Sequence, residues 1–223
     1  MKLQICNLSK QFDGHLVLDR VSMELESGQI YCLMAPSGTG KTTLFRILMG
    51  LERADRGEIM IERAANETGK SADEPEKAFL TATGKTAGGH KKETLQDLRI
   101  GAVFQENRLC EAFSAVDNVL MTASSSMSRS DAERELRELL PQETLNRPVA
   151  TLSGGQKRRV ALCRALCAPS ELLILDEPFT GLDTETRMDV IRYLQKKSAG
   201  KLTLLSTHQE EDIRTLNGIR IHI

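Results

Sequence analysis

What the chain lacks narrows its class before any motif is considered. Its 30 Lys and Arg nearly balance its 31 Asp and Glu, so there is neither a basic field for nucleic acid nor an acidic tail of the disordered kind. Nothing approaches the roughly 18 consecutive apolar residues of a membrane span. Met1-Lys2-Leu3-Gln4 leads into an alternating strand pattern, not a secretory leader. The expectation is a soluble chain that stays in the cytoplasm. Five cysteines, an odd number with no C-x-x-C pair, fit a reducing compartment. Cys163 and Cys167 stand at i, i+4 on an expected helix and would permit a shared metal, but with no His or further Cys beside them they read as two small core residues. At 223 residues the chain can bury one sizeable core, split into a main body and a smaller lobe.

The most informative stretch is Ile30 to Leu44, IYCLMAPSGTGKTTL. Ile30 to Met34 is an apolar run of strand type, Ala35-Pro36-Ser37-Gly38-Thr39-Gly40 is turn-forming, and Lys41-Thr42-Thr43 opens a helical pattern that continues to Met49. Strand, glycine-rich loop and helix start are the context in which a phosphate-binding loop works. Backbone N–H groups and the positive helix end attract phosphate, Lys41 adds a point charge, and the Thr42 hydroxyl suits a phosphate-bound Mg²⁺. A nucleoside triphosphate site follows. The usual G-x-x-x-x-G-K-[ST] spelling fails at Ala35, where alanine is tolerable if φ is negative and expensive if the turn needs φ > 0. Gly69-Lys70-Ser71 and Gly84-Lys85-Thr86 fail the same spelling, with Ala64 and Phe79 at the first position, and have no strand before them. Context selects Lys41.

The remaining elements alternate. Lys2 to Leu8 and Val21 to Leu25 are strand-like, with a turn at Phe12-Asp13-Gly14, and they form a small antiparallel sheet. Phe12 is placed either to stack on a nucleotide base or to cover the sheet edge. Gly57 to Ile61 is a further strand. About residues 63–98, Gly, Ala, Thr, Lys and Glu dominate, which predicts a polar surface excursion carrying at most a short helix around Glu74 to Leu80. Ile100 to Phe104 is a buried strand ending at Gln105. Val116 to Leu140 is helical, with a capping box at Ser130 to Glu133. A helix from Lys157 to Ala168, a strand Leu172 to Leu175 ending in Asp176-Glu177, a helix Glu185 to Ser198, a strand Leu202 to Ser206 and a closing strand Gly218 to Ile223 complete an α/β order, which implies a mainly parallel sheet wrapped by helices.

Ligands of such sheets bind at the carboxyl ends of the strands. Four strands here end in the phosphate loop, in Gln105, in Asp176-Glu177 and in Thr207-His208. Phosphoryl transfer to water needs neutralised charge, a held metal and an oriented nucleophile. Thr42, Gln105 and Asp176 are candidate Mg²⁺ ligands, Glu177 the candidate base, and His208 the residue that holds phosphate and water in line. Singly, Gln105 could be an edge amide, Asp176-Glu177 strand-end solvation before Pro178, and His208 one of four histidines; together they define a site.

These residues resemble those of ATP-binding cassette (ABC) ATPases. The resemblance covers nearly the whole chain outside 63–98, and its most specific part is Leu152-Ser153-Gly154-Gly155-Gln156, which is similar to the family's signature motif. LLILDEP (Leu172 to Pro178) resembles the Walker B strand, Gly181-Leu182-Asp183 the D-loop, Gln105 the Q-loop, His208 the switch histidine and Phe12 the A-loop aromatic. The departures are Ala35 for glycine, Phe12 where Tyr is commoner, and the longer excursion. The resemblance implies a P-loop NTPase core over residues 1–223 with a mainly parallel sheet, a small antiparallel β subdomain and a helical subdomain at about 106–152. It implies ATP and Mg²⁺ as cofactors. ATP would be held by Phe12, Ser37, Gly38, Thr39, Gly40, Lys41, Thr42 and Thr43 of one subunit and covered by Ser153, Gly154, Gly155, Gln156 and Asp183 of a second, a homodimer or a pair with a paralogue. Asp183 could instead be a helix N-cap.

The family further implies the energising subunit of a membrane transporter, peripheral on the inner face of the cell membrane, with separate transmembrane permease subunits and, for an importer, an extracytoplasmic solute-binding protein. Gln105 to Val119 resembles the surface that receives a permease, in wording nearest to nitrate, sulfonate and taurine type importers, although Leu109, Phe113 and Val116 could equally pack the helical lobe. No added C-terminal regulatory module is expected. Two other readings remain at this stage: a soluble ABC protein acting on nucleic acid or ribosomes, against which stands the lack of a second cassette, coiled-coil arm or basic extension, and a cassette that binds ATP as a switch, to which only Ala35 points.

Overall fold

The computed structural model describes residues 1–36, 38–63, 76–81, 95 and 98–223. Strands β1 (Lys2–Phe12) and β2 (His15–Glu26) form a hairpin whose two-residue turn, Asp13 (φ 48) and Gly14 (φ 81), is left-handed at both positions, the geometry that matches strand twist and that Asp-Gly supplies cheaply. β4 (Arg56–Arg63) adds to β1, with Leu3 opposite Ile61 and Ile5 opposite Ile59. The antiparallel sheet runs β2-β1-β4-β5.

Strands β3 (Ile30–Leu33), β6 (Ile100–Val103), β7 (Leu172–Leu175), β8 (Leu202–Ser206) and β9 (Ile219–Ile221) make a second sheet in the order β6-β7-β8-β3-β9. Every pairing in it is parallel. Alternation of side chains about β7 shows why a strand of four consecutive aliphatics is needed. Leu172 and Ile174 join a core with Leu3, Ile5, Leu25 and Phe45, while Leu173 and Leu175 join the opposite core with Val160, Leu162, Val190 and Leu194. Both faces are dry, so neither face tolerates a polar residue.

Helix α1 (Lys41–Leu48) and the antiparallel sheet cover one face, while α4 (Gly154–Cys167) and α5 (Thr184–Ser198) cover the other. α2 (Ala115–Leu120) and α3 (Arg129–Arg137) extend that second core, which includes Val116, Val119 and Leu136. Short 3-10 turns at Gln142–Thr144 and Val149–Thr151 lead to α4.

Several expectations need correction. The capping box lies two residues earlier than Ser130 to Glu133: Ser128 and Asp131 exchange the reciprocal bonds, and a second box at Ser114 and Asp117 splits Val116 to Leu140 into two helices. α4 starts at Gly154, not Lys157, because Ser153 and Gln156 form a third box. The short helix expected around Glu74 to Leu80 is replaced by strand β5 (Glu76–Thr81), antiparallel to β4 with Met60 opposite Phe79. Pairing with an open sheet edge is a non-local gain that composition does not display. Apart from residues 63, 95 and 98, the rest of 63–98 lies outside the described residues, as do the two competing Gly-Lys-Ser and Gly-Lys-Thr tripeptides. Helix α6 (Glu210–Leu216) was missed altogether; its signals were three acids in the first turn and Asn217, left-handed at φ 51, before Gly218.

Gly101 on β6 is packed so tightly that a Cβ would stand 2.5 Å from the Ala165 carbonyl oxygen and 2.8 Å from Leu173 Cδ2. Gly101→Ala is expected to lower stability by about 1–3 kcal/mol, read from urea denaturation. An unchanged midpoint would mean that α4 and β6 can separate without cost.

Candidate active site

The phosphate loop lies between the end of β3 and α1. Ala35 is not among the residues with positive φ, so its Cβ costs nothing there. Gly38 (φ 85) and Gly40 (φ 93) do adopt the left-handed region. Gly40 is required twice over, since a Cβ would also meet the Val17 carbonyl oxygen at 2.7 Å. No side chain caps α1 and no acid stands in its first turn, which leaves its N–H groups and dipole for an anion. Lys41 is buried and folds back over the loop, its Nζ donating to the carbonyls of Ala35 (2.5 Å) and Pro36 (2.9 Å). Thr39 Oγ1 donates to Pro36 O at 2.8 Å. Ser37 lies outside the described residues.

Across the sheet, Thr42 Oγ1 donates to Asp176 Oδ2 at 2.8 Å and Ser206 Oγ donates to Asp176 Oδ1 at 2.7 Å. Asp176 is buried and Thr42 exposed. A hard cation beside that hydroxyl would find oxygen donors of the kind Mg²⁺ requires. Glu177 is held at φ 48, its N–H donating to Ser206 Oγ at 2.8 Å. Its Oε1 is 3.0 Å from His208 Nε2 and its Oε2 accepts from Thr180 Oγ1 at 3.3 Å. A non-glycine residue in this region costs about 1–3 kcal/mol and persists only where its surroundings enforce it, a pattern that clusters at active sites.

A cleft of about 220 Å³ is lined by Val17, Gly38, Gly40, Lys41, Thr42, Thr43, Gln105 and Glu177. The phosphate loop, Gln105 and Glu177 are therefore together, and His208 reaches in through Glu177. A second cleft of about 310 Å³ shares Glu177 and adds His208, Ser206, Arg187 and the Gly181-Leu182 turn. Phe12 lies at the hairpin end, 41% exposed, outside the lining of the first cleft and with Lys10 Nζ 4.8 Å from its ring centre. The four residues Ser153, Gly154, Gly155 and Gln156 do not line it either. Ser153 caps α4, accepting from Gln156 N at 3.2 Å while its own N–H donates to Gln156 Oε1 at 2.9 Å. The approach of Gly155 to Gly181 O, 3.4 Å from a virtual Cβ, sets this helix start against the turn before Asp183. Asp183 does cap α5, accepting from Thr186 N at 2.9 Å, and that backbone bond holds its carboxyl below the usual range.

Sequence reasoning missed Ser206, which fixes both acids, and Arg187, which together with the already singled-out Thr207 donates to the buried carboxylate of Asp212. Ser206 had a visible signal as the last residue of an apolar strand; Asp212 had one only as the third acid of the first turn of α6, a helix that was not foreseen. The Cys163 and Cys167 sulfurs are 3.9 Å apart and share contact with Tyr193 Oη, and among the described residues no group of three or more His, Cys, Asp or Glu could hold a metal.

A glycine-rich loop, an acid pair and a histidine meeting at the ends of parallel strands define a P-loop nucleoside triphosphatase site. The chain belongs to the ABC transporter family, whose model matches residues 18–180. It is 31% identical to a sulfate/thiosulfate import ATP-binding protein of Agrobacterium fabrum, an alignment covering 95% of this chain and 58% of the relative. With the corresponding protein of Xanthomonas campestris the identity is 34%, over 95% and 58%. The chain thus spans less than two thirds of the length of these relatives. Among solved structures it is similar to a dimeric bacterial ABC transporter cassette (25% identity, TM-score 0.75, covering 99% of this chain and 94% of that one). It also shares the fold of a dimeric cassette in a post-hydrolysis state bound to ADP and phosphate (24%, TM-score 0.75, 99% and 94%).

Two substitutions test the loop. Lys41→Ala is expected to weaken ATP binding by about a hundredfold or more, measured by titration with a fluorescent nucleotide. Ala35→Gly is expected to leave turnover within about twofold, since the backbone at 35 does not demand glycine. A tenfold rise would show that alanine strains the working loop.

Proposed function

We propose that the chain is the ATP-hydrolysing subunit of an ABC membrane transporter of importer type, acting as a dimer docked on separate transmembrane permease subunits at the inner face of the membrane. The observation that carries this reading is the meeting of Lys41, Thr42, Gln105 and Glu177 at one cleft, with Asp176 bonded to Thr42 and His208 to Glu177, while Ser153 to Gln156 stands outside it. Such a site has its own loop, metal ligands and base but lacks a cover for the nucleotide. A second copy, or a paralogue, presenting Ser153, Gly155 and Asp183 completes it, with backbone N–H groups at a capped helix start again facing phosphate.

In this reading Thr42, Gln105 and Asp176 would hold Mg²⁺, whose charge would neutralise the phosphates. Lys41 and the α1 N-terminus hold the γ-phosphate as charge builds on it. Glu177 accepts the proton of the attacking water, and His208 keeps carboxylate, water and phosphate in line. Phe12 offers its exposed ring to the base.

The permease would meet the face around Gln105 to Val119. Of its three apolar candidates, Val116 is fully buried in the helical core and Leu109 packs on that core, whereas Phe113 is 50% exposed. Phe113, with exposed Met121 nearby in sequence, is the residue we assign to docking. The relatives are sulfate/thiosulfate import proteins, not the nitrate, sulfonate and taurine type that the wording of this segment resembled, so the proposal extends to an importer and not to one of those solutes. An extracytoplasmic solute-binding protein belongs to that assembly. Among the described residues no helix is long and apolar enough to cross a membrane, in keeping with transport through a partner. Action on nucleic acid gains no support from the nearly balanced charge.

Glu177→Gln is expected to bind ATP normally, lose at least about a hundredfold in turnover and run as an ATP-dependent dimer in size-exclusion chromatography. Turnover at the parent rate would remove Glu177 as the base. The transporter reading is tested by tagging the chain and extracting membranes in mild detergent: a multi-span partner is expected, and recovery with ribosomes or DNA would overturn it.

A further inference from the structure

Arg158 lies in the second turn of α4, is 4% exposed, and faces no carboxylate directly. Its guanidinium donates instead to six oxygens from two separate segments. Nη1 reaches Phe104 O at 2.5 Å, Gln105 O at 3.4 Å and Asn107 Oδ1 at 3.3 Å. Nη2 reaches Asp176 O and Glu177 O, both at 2.6 Å, and Nε reaches Pro178 O at 3.2 Å. Five N–H groups serve six acceptors, one of them shared, so the donor capacity of the side chain is used in full. Burial lowers its pKa, a shift that the nearby charges of Asp176 and Glu177 offset only in part.

The geometry on the acid side is unusual. Three successive carbonyls converge on one cation, and the chain achieves this with Glu177 in the left-handed region. The cation and the strained turn support each other: the guanidinium collects the carbonyl dipoles on one side of the turn, while the Ser206 hydroxyl accepts the Glu177 N–H on the other. On the other side the same group fixes the main chain at Gln105. Arg164, two turns further along α4, donates to Asn107 O at 3.2 Å and Arg108 O at 2.8 Å and so fastens the continuation of that segment to the same helix. Only a planar fork can address both segments at once; an ammonium group reaches oxygens clustered on one side.

We propose that Arg158 is a positioning residue that sets Glu177 and Gln105 together against α4, so that the seating of Ser153 to Gln156 at the start of that helix is transmitted to the base and the metal ligand of the chain's own cleft. A subunit whose signature turn has closed on a partner's nucleotide then holds its own acid in register, which makes the two sites of a dimer fire in concert. The link to turnover rests on the ATPase reading above; the clamp itself does not.

The test uses the full chain carrying Arg158→Lys, which keeps the charge and most of the stem, and Arg158→Met, which removes the charge. In nucleotide-free protein, amide hydrogen exchange at 104–108 and at 176–180 is expected to speed up together by about tenfold or more, while the second half of α4 stays protected. Exchange that rises in neither segment, in one alone, or throughout α4 would overturn the clamp. In ATP turnover both variants are expected to lose about tenfold or more in kcat with the KM for ATP within about twofold, and to lose cooperativity in ATP. A parent-like kcat, or a loss carried by KM, would overturn the positioning role. If Arg158→Met fails to fold, the lysine variant decides both readouts. If the parent chain itself shows no turnover, the ATPase reading fails and the exchange result still judges the clamp.

Discussion

The site depends above all on the Asp176 carboxylate, which accepts from Thr42 on one oxygen and from Ser206 on the other. Those two hydroxyls belong to the first turn of α1 and the last residue of β8, and Asp176 itself follows β7. Three elements are thereby pinned at one point by two hydrogen bonds to a charged, buried acceptor, a class of bond roughly twice as strong as a neutral one. A carboxylate buried at that depth is tolerable only because both oxygens are satisfied.

Around this point the fold divides labour between its two faces. The core shared by the antiparallel sheet and α1 supports the glycine-rich loop before Lys41, and the core shared by α2 to α5 supports the turn at Ser153 and the Gln105 segment. The strands between them, dry on both sides, are the common wall. Communication between the faces must pass around the strand ends, where the polar network of Ser206, Thr207, Asp212 and Arg187 lies, along with the guanidinium of Arg158.

Much of this was legible in the sequence because the relevant signals are local. Four aliphatics followed by two acids, a glycine-rich turn before Lys41, and an apolar strand ending at Gln105 each have a short-range cause, and each element formed within a few residues of its expected place. Other features were illegible for physical reasons. Ser128 in place of Ser130 as the cap depends on which hydroxyl the chain direction favours, and two candidates two residues apart cannot be separated by pattern. Strand β5 exists through pairing with β4, which no window of sequence contains. Arg158 could only be read as one of three consecutive basic residues, Lys157 to Arg159, on a helix; its partners lie more than fifteen residues away in two directions.

The capping geometry of Ser153 carries a further consequence. Its oxygen accepts the Gln156 N–H, which uses one lone pair and leaves the hydroxyl hydrogen uncommitted. The structural duty of the side chain thus consumes its acceptor face alone. A hydroxyl whose oxygen is already placed by the helix it caps, and polarised by the N–H bond it receives, can meet an anion with only the O–H torsion left to freeze. Capping and recognition are then complementary uses of one atom, and a cysteine or valine at 153 would forfeit both at a stroke, whereas threonine would keep them.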